Sequence, residues 1–312
     1  MNVIELHNIT KTFGKHVAVD DLSLAVPRGS IYGFIGPNGS GKTTTLRMIM
    51  RIYFPDRGAI RVLGEESHGA AHDRIGYLPE ERGLYKKMKV REILRFYAEL
   101  KGRRDFYQAA DAWLERLSLT EWANKKVETL SKGMAQKVQF ISAVIADPEL
   151  VILDEPFSGL DPVNMEVLRE CVLDLRKKGS TVIFSTHDMA VAERMCDFIF
   201  MIYQGRKVLD GTLDSIQNQY GQDTIRVRLA ERDGDLTVLP GVEKITDFGT
   251  LQELRITPET DTQDVLESLM RLGRVTHFEL ARPSLQDIFI RIAGPEAEKA
   301  AALSRKLEAA HA

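Results

Sequence analysis

The chain has 312 residues, enough for two domains at about 150 residues each and for a sizeable buried core. Hydrophobic residues make up 44% and charged residues 28%, ordinary values for a globular protein, which excludes a disordered chain and an integral membrane protein. Lys and Arg number 42 against 45 Asp and Glu, a formal net charge of −3, so nucleic acid is not expected as the main partner, although a local basic patch is compatible with that balance.

The N-terminal residues 1–9 mix polar and apolar side chains, and no run in the chain reaches about 18 apolar residues, so neither a targeting signal nor a spanning helix is expected and a cytoplasmic location follows. Apolar, β-branched runs then alternate with amphipathic stretches up to about residue 211, the signature of α/β layering. Strands are predicted at 3–9, 31–35, 75–78, 151–153, 181–185 and 198–203. The runs at 31–35, 151–153, 181–185 and 198–203 are apolar enough to be buried on both faces, and a parallel core sheet is the economical arrangement. Helices are predicted at 43–51, at 90–101 with Val90, Ile93, Leu94, Tyr97 and Leu100 on one stripe, and at 163–177; residues 90–119 read as a helical insertion. Cys171 and Cys196 lack the paired spacing of a zinc or redox motif and are expected to pack as reduced apolar groups.

The first domain is placed at 1–213, followed by a polar connector at 214–222. A small α+β domain spans 223–293, with strands at 224–229, 242–247, 251–257 and 275–280 and helices at 262–272 and 284–292. The Ala, Glu and Lys residues of 294–312 suggest a helical or flexible tail.

Two segments carry chemistry. Gly36, Pro37, Asn38, Gly39, Ser40, Gly41, Lys42 and Thr43 follow the buried strand 31–35 and open a helix, the context of a phosphate-binding loop, with Thr44 continuing it. The glycines let backbone N–H groups close around phosphate, the helix N-terminus adds partial positive charge, Lys42 a full one, and Thr43 a hydroxyl for Mg²⁺. Four fixed positions match by chance on the order of once in a hundred chains of this length. The second segment, Val151 to Glu155, is a buried strand ending in two carboxylates. Asp154 is the candidate Mg²⁺ ligand and Glu155 the candidate general base toward the water that attacks the γ-phosphate; taken alone, the pair is equally a strand ending in two solvated acids.

Three further motifs stand in order: Leu130-Ser131-Lys132-Gly133-Met134, Ser158-Gly159-Leu160-Asp161 and Ser185-Thr186-His187. With them, residues 3 to about 211 resemble the ATP-binding subunits of ABC transporters, the three motifs matching the family's signature, D-loop and switch histidine. The resemblance implies an α/β P-loop NTPase domain of the ABC ATPase type that binds ATP with Mg²⁺. It implies that Ser131 and Gly133, which open an apolar helix, meet the γ-phosphate held by another subunit, so that ATP lies between two copies. His187 would contact the γ-phosphate and help to orient water, and Phe13 would lie against adenine. Read without the resemblance, the same residues are a capped helix, a structural histidine and a core aromatic.

The match departs from the family at two places. Glu80, after the strand 75–78, stands where the family has a glutamine that reaches Mg²⁺ and couples to the membrane partner, and the signature carries Lys132 and Met134 where Gly and Gln are commoner. With the segment 76–85 and Arg282 to Phe289, these departures resemble a bacterial subgroup of sodium-export-like ATP-binding proteins with a small C-terminal domain. That domain, without a catalytic constellation, reads either as a dimerisation or regulatory element or as a stabilising appendage. Tyr85-Lys86-Lys87-Met88-Lys89 reads as a solvated loop, or alternatively as a docking or lipid-facing element. The expected protein is the ATP-hydrolysing subunit of a bacterial exporter, peripheral on the cytoplasmic face of the cell membrane. Its partners would be an integral membrane permease and a second copy or related ATPase. The alternative is a soluble ABC ATPase acting on ribosomes or nucleic acid.

Overall fold

A computed structural model describes residues 1–66, 73–81, 83–232 and 235–294. The chain divides into two compact units, Met1–Leu213 and Asp214–Ala312.

The first unit opens with two long antiparallel strands, β1 (Asn2–Phe13) and β2 (His16–Pro27). After them come β3 (Ile31–Ile35), α1 (Lys42–Ile49), β4 (Arg57–Val62), β5 (Ile75–Leu78), α2 (Val90–Leu100), α3 (Phe106–Arg116), α4 (Lys132–Val144), β6 (Leu150–Asp154), α5 (Pro162–Lys177), β7 (Thr181–Thr186), α6 (Met189–Met195), β8 (Phe198–Tyr203) and β9 (Arg206–Gly211). A three-stranded antiparallel sheet has the order β2-β1-β4, and a six-stranded sheet the order β5-β6-β7-β3-β8-β9. Five strands of the larger sheet run parallel, as expected, but β9 is antiparallel to β8, so the core sheet is mixed. The reversal is local: Gln204 and Gly205 between the two strands both have positive φ, 48° and 78°, the geometry of a tight hairpin turn. The expected first strand, 3–9, belongs to the antiparallel sheet rather than to the core.

Every residue of β3, β6 and β7 is buried, because the sheet is covered on both faces. The period of two along β6 assigns those faces: Val151 and Leu153 join the core formed with α2 to α5, whereas Leu150 and Ile152 join the core formed with β1, β2, β4 and α1. In α2 the buried stripe is Val90, Ile93, Leu94 and Ala98; Leu100, expected on that stripe, is the last residue of the helix and is 61% exposed. Cys171 and Cys196 are free thiols, and burial raises both their pKa values, that of Cys171 to about 11. Ser131 caps α4 by accepting the Met134 N–H at 3.2 Å. Asp161 caps α5, accepting from the Val163 and Asn164 N–H groups, with Pro162 at the first helical position.

In the second unit, β10 (Thr224–Arg232), β11 (Val242–Asp247), β12 (Gln252–Ile256) and β13 (Gly273–Ala281) form an antiparallel sheet in the order β11-β12-β10-β13. Helix α8 (Thr262–Leu272) packs Val265 and Leu269 onto Ile225, Val227, Leu254 and Ile256. Residues 285–294 are helical. The segment expected as a connector contains a helix, α7 (Leu213–Tyr220), with a single buried residue, Ile216. The expected tail lies outside the described residues beyond Gly294.

Candidate active site

The larger sheet gathers its chemistry at the carboxyl ends of four parallel strands, where open α/β sheets bind ligands. Leu78 on β5 pairs with Leu153 on β6, Asp154 with Ser185 on β7, and Thr186 with Ile35 on β3. Strands in that register deliver Glu80, then Asp154 and Glu155, then His187, then the loop 36–43 side by side.

The loop after β3 depends on glycine at two points of close approach. A Cβ at Gly36 would stand 2.2 Å from the Ile202 carbonyl oxygen, and one at Gly41, where φ is 110°, would stand 2.5 Å from that of Ala18. Lys42 opens α1 and is buried; its Nζ donates to the Gly36 and Pro37 carbonyls at 2.7 and 3.0 Å and lies 4.0 Å from Glu155 Oε1. Burial lowers the pKa of the Lys42 ammonium, and the charges of Glu155, Asp154 and Glu80 oppose that shift.

Asp154 is fully buried. Its Oδ1 accepts from Thr43 Oγ1 at 3.2 Å and from Ser185 Oγ at 2.5 Å, while its Oδ2 has no partner among the described residues. A buried carboxylate oxygen left unpaired is costly. Here it fits a divalent cation: with Thr43 Oγ1 and Glu80, the donor set is all oxygen and suits Mg²⁺. Glu155 sits at φ 49°, a left-handed backbone for a non-glycine residue, which turns the chain sharply off β6. Its N–H donates to Ser185 Oγ at 2.9 Å, and its Oε1 lies 3.1 Å from His187 Nδ1. The His187 side chain is 58% exposed and that of Glu155 only 9%, so the imidazole stands between a buried carboxylate and solvent.

A cavity of about 450 Å³ brings together Asn38, Gly39, Gly41, Lys42, Thr43 and Thr44 with Glu80, Glu155 and, from β1 and β2, Phe13, His16 and Ala18. Its size suits a small-molecule ligand. Phe13 is 43% exposed, its ring edge-on to Tyr53 at 5.4 Å and with Lys11 Nζ over it at 5.6 Å from the centroid, at the edge of the cavity. Gly36, Pro37 and Ser40 do not line the cavity. Pro37 instead accepts from Lys42 and from the Ser40 N–H, and the Ser40 side chain is buried. Ser131 and Gly133 also lie outside it. A Cβ at Gly133 would meet only Leu160 Cδ2, at 3.5 Å, so packing within the chain does not require glycine there. Tyr85 to Lys89 is held by backbone bonds, Val127 N–H to Met88 and Glu128 N–H to Lys86, and a bridge pairs Lys89 with Lys126, so the two lysine-bearing segments lie side by side and exposed. Ser185, His16 and Ala18 were not expected at the site. They reach it through strand pairing; Ser185 stands in the Ser185-Thr186-His187 motif, but the motif does not disclose its role toward Asp154 and Glu155, and no local pattern marks His16 or Ala18.

This combination of phosphate loop, strand-end carboxylates and switch histidine is that of an ATP-binding cassette. The ABC transporter family model matches residues 19–158, and the model of the ATP-binding protein DrrA1-3-like C-terminal domain matches residues 211–293. The chain is 43% identical to the uncharacterized ABC transporter ATP-binding protein YhaQ of Bacillus subtilis over 297 residues, covering 94% of this chain and 99% of that protein. It is 34% identical to the Nod factor export ATP-binding protein I of Sinorhizobium fredii over 301 residues, covering 94% and 86%. A solved structure of an ATP-binding subunit of an ABC transporter superposes on 70% of this chain and 93% of that one, with a TM-score of 0.66 and 32% identity. The chain belongs to the ABC transporter ATP-binding proteins, ATPases that hydrolyse ATP to drive transport, with which membrane permeases work. Among the described residues no helix is long and apolar enough to cross a membrane.

Proposed function

We propose that this chain is the ATP-hydrolysing subunit of a bacterial ABC exporter. It would lie peripherally on the cytoplasmic face of the cell membrane and work through a separate permease with a second copy of itself or a related ATPase. The observation that carries the hydrolytic reading is the buried Glu155 carboxylate, held 3.1 Å from His187 and 4.0 Å from Lys42 beside the phosphate loop. In this reading Glu155 takes the proton of the attacking water and His187 orients that water against the γ-phosphate. Lys42 leaves its loop carbonyls to neutralise the β- and γ-phosphates, and Phe13 stacks on adenine. Thr43, Asp154 and Glu80 hold Mg²⁺, which neutralises charge on the phosphates during transfer. The exposed Ser131 and half-buried Gly133 serve the nucleotide of the second copy, consistent with their place outside this cavity. Export is supported by the likeness over nearly the whole chain to a protein named for Nod factor export.

The test is Glu155→Gln, captured from detergent-extracted membranes with ATP and Mg²⁺ and its companions identified by mass spectrometry. Turnover is expected to fall by about 10²- to 10⁴-fold with ATP still bound, and a polytopic membrane protein is expected in the trapped complex. Ribosomal or nucleic-acid-bound companions without a membrane protein would move the soluble ABC ATPase reading to first place, and substantial remaining turnover would remove Glu155 from the role of base.

A further inference from the structure

Glu80 has a support of its own, and it comes from the signature helix. Gln139, on α4, is 5% exposed and donates its side-chain amide to the carbonyls of Pro79 at 3.2 Å and Glu81 at 3.1 Å, the two residues flanking Glu80. Among the described residues its Oε1 is buried without a partner, and the two hydrogen bonds this side chain makes there both go to that segment. The close approach of helix to strand has a separate cause at Gly76 on β5. A Cβ there would stand 2.1 Å from the Ala143 carbonyl oxygen of α4, so only glycine lets the helix lie directly against the strand that leads into Glu80. The Glu81–Arg47 ion pair, at 3.5 Å with the Glu81 side chain 85% exposed, is a weak tie by comparison.

We propose that Gln139 is a positioning residue for Glu80, holding its backbone from both sides so that the carboxylate faces the metal side of the nucleotide cavity. This rests on the reading of Glu80 as a group on Mg²⁺. A carboxylate beside phosphate is repelled by it, so its direction has to be imposed by the chain that carries it. Gln136, on the same helix, does the corresponding thing beside the proposed base, donating to the Pro156 carbonyl at 3.2 Å. Ser131, the cap of α4, and Gln139 are eight positions apart, about 12 Å along one rigid helix. Whatever moves the signature end of α4 therefore moves the support of Glu80 with it.

The experiment uses the full chain with Mn²⁺ and ADP as probe, comparing parent, Gln139→Leu, Gln139→Asn, Glu80→Ala and the double variant Glu80→Ala/Gln139→Leu. Leu keeps the volume and removes the donors; Asn keeps the amide and shortens its reach, and covers the case in which Leu fails to fold. Mn²⁺ affinity is read by electron paramagnetic resonance, and backbone order by hydrogen exchange of nucleotide-free protein over residues 75–81. Each Gln139 variant is expected to weaken Mn²⁺ binding by about tenfold, as supporting groups around metal ligands do, and to speed exchange after Leu78. The double variant is expected to bind Mn²⁺ no more weakly than Glu80→Ala alone. If Glu80→Ala weakens binding and the Gln139 variants match the parent, or if the two losses add in the double variant, Gln139 does not act through Glu80. If Glu80→Ala itself binds Mn²⁺ like the parent, the metal reading of Glu80 fails and this proposal fails with it.

Discussion

Gly39 and Gly41 belong to one loop and both have positive φ, yet alanine at the two positions should have very different costs. At Gly39, φ is 76° and an added Cβ meets nothing within 4 Å. The cost is then that of a left-handed alanine, about 1–2 kcal/mol, partly offset by about 0.4–1 kcal/mol from a stiffer unfolded chain. At Gly41, φ is 110° and ψ 0°, outside the left-handed well, which puts the backbone strain toward the upper part of about 1–3 kcal/mol. The new Cβ would also lie 2.5 Å from the Ala18 carbonyl and 3.1 Å from Ile202 Cδ1, and the backbone shift that relieves this adds about 1–3 kcal/mol. The expected difference between Gly39→Ala and Gly41→Ala is therefore about 3 kcal/mol. In a unit of this size it corresponds to a gap of roughly 6–12 °C between their unfolding midpoints. Thermal unfolding of nucleotide-free protein, followed by a signal specific to the ATP-binding unit, measures it. Midpoints within about 2 °C of each other would mean that the loop does not press on β2 as described.

Two other outcomes follow from named groups. Lys42→Ala should weaken ATP binding in the presence of EDTA by about 10- to 100-fold, the equivalent of charge-assisted hydrogen bonds worth about 1.5–3 kcal/mol, and unchanged affinity in an equilibrium titration would remove the phosphate-loop assignment. The hydrogen bonds of Arg74, and after them those of Arg28, hold the Glu149 carboxyl below its ordinary value of 4.5. A carboxyl depressed by folding contributes stability above its unfolded pKa and loses it as pH falls through the folded one. Parent should thus be more stable than Glu149→Gln at pH 7, with the gap closing below about pH 4.5 in urea titrations across that range. A gap that persists undiminished at the acid end would mean that the Arg74 pair is not its source.

What was legible in the sequence was whatever is local. The runs at 31–35, 181–185 and 198–203 are nearly all apolar because both faces of the sheet are covered, and the phosphate loop announces itself by its glycines, two of which, Gly36 and Gly41, have their Cβ positions occupied by neighbouring backbone. What was missed is held by long-range pairing. β2 alternates only in part: Asn8 and Asp21 have positive φ, bond to each other at 2.9 Å and break the register with β1, so the period of two is interrupted where it would be read. β4 is mostly exposed, with Gly58 pressed on the His7 carbonyl, and β9 is a charged edge strand defined by its neighbour. In the site, Glu155 and Asp154 were readable as types, but the group that orients both, Ser185, is 30 or more positions away and meets them only through the pairing of β6 with β7. Gln139 is unreadable for the same reason, since an amide on an apolar helix stripe acquires meaning only from the loop that passes over it.

Strand β3 is hydrogen-bonded on one side to β7 and on the other to β8, and both follow it by about 150 residues of chain. A ribosome adding about 5–20 residues per second delivers β3 roughly 8–30 s before its outer neighbour is complete. For that time Tyr32 and Phe34 have no sheet to enter, and Gly36 has no Ile202 carbonyl to close against. A nascent or prematurely terminated chain that stops before β8 thus carries an intact phosphate-loop sequence and no nucleotide site. The capacity to hold ATP is acquired late in synthesis, when the strands on both sides of β3 have been made.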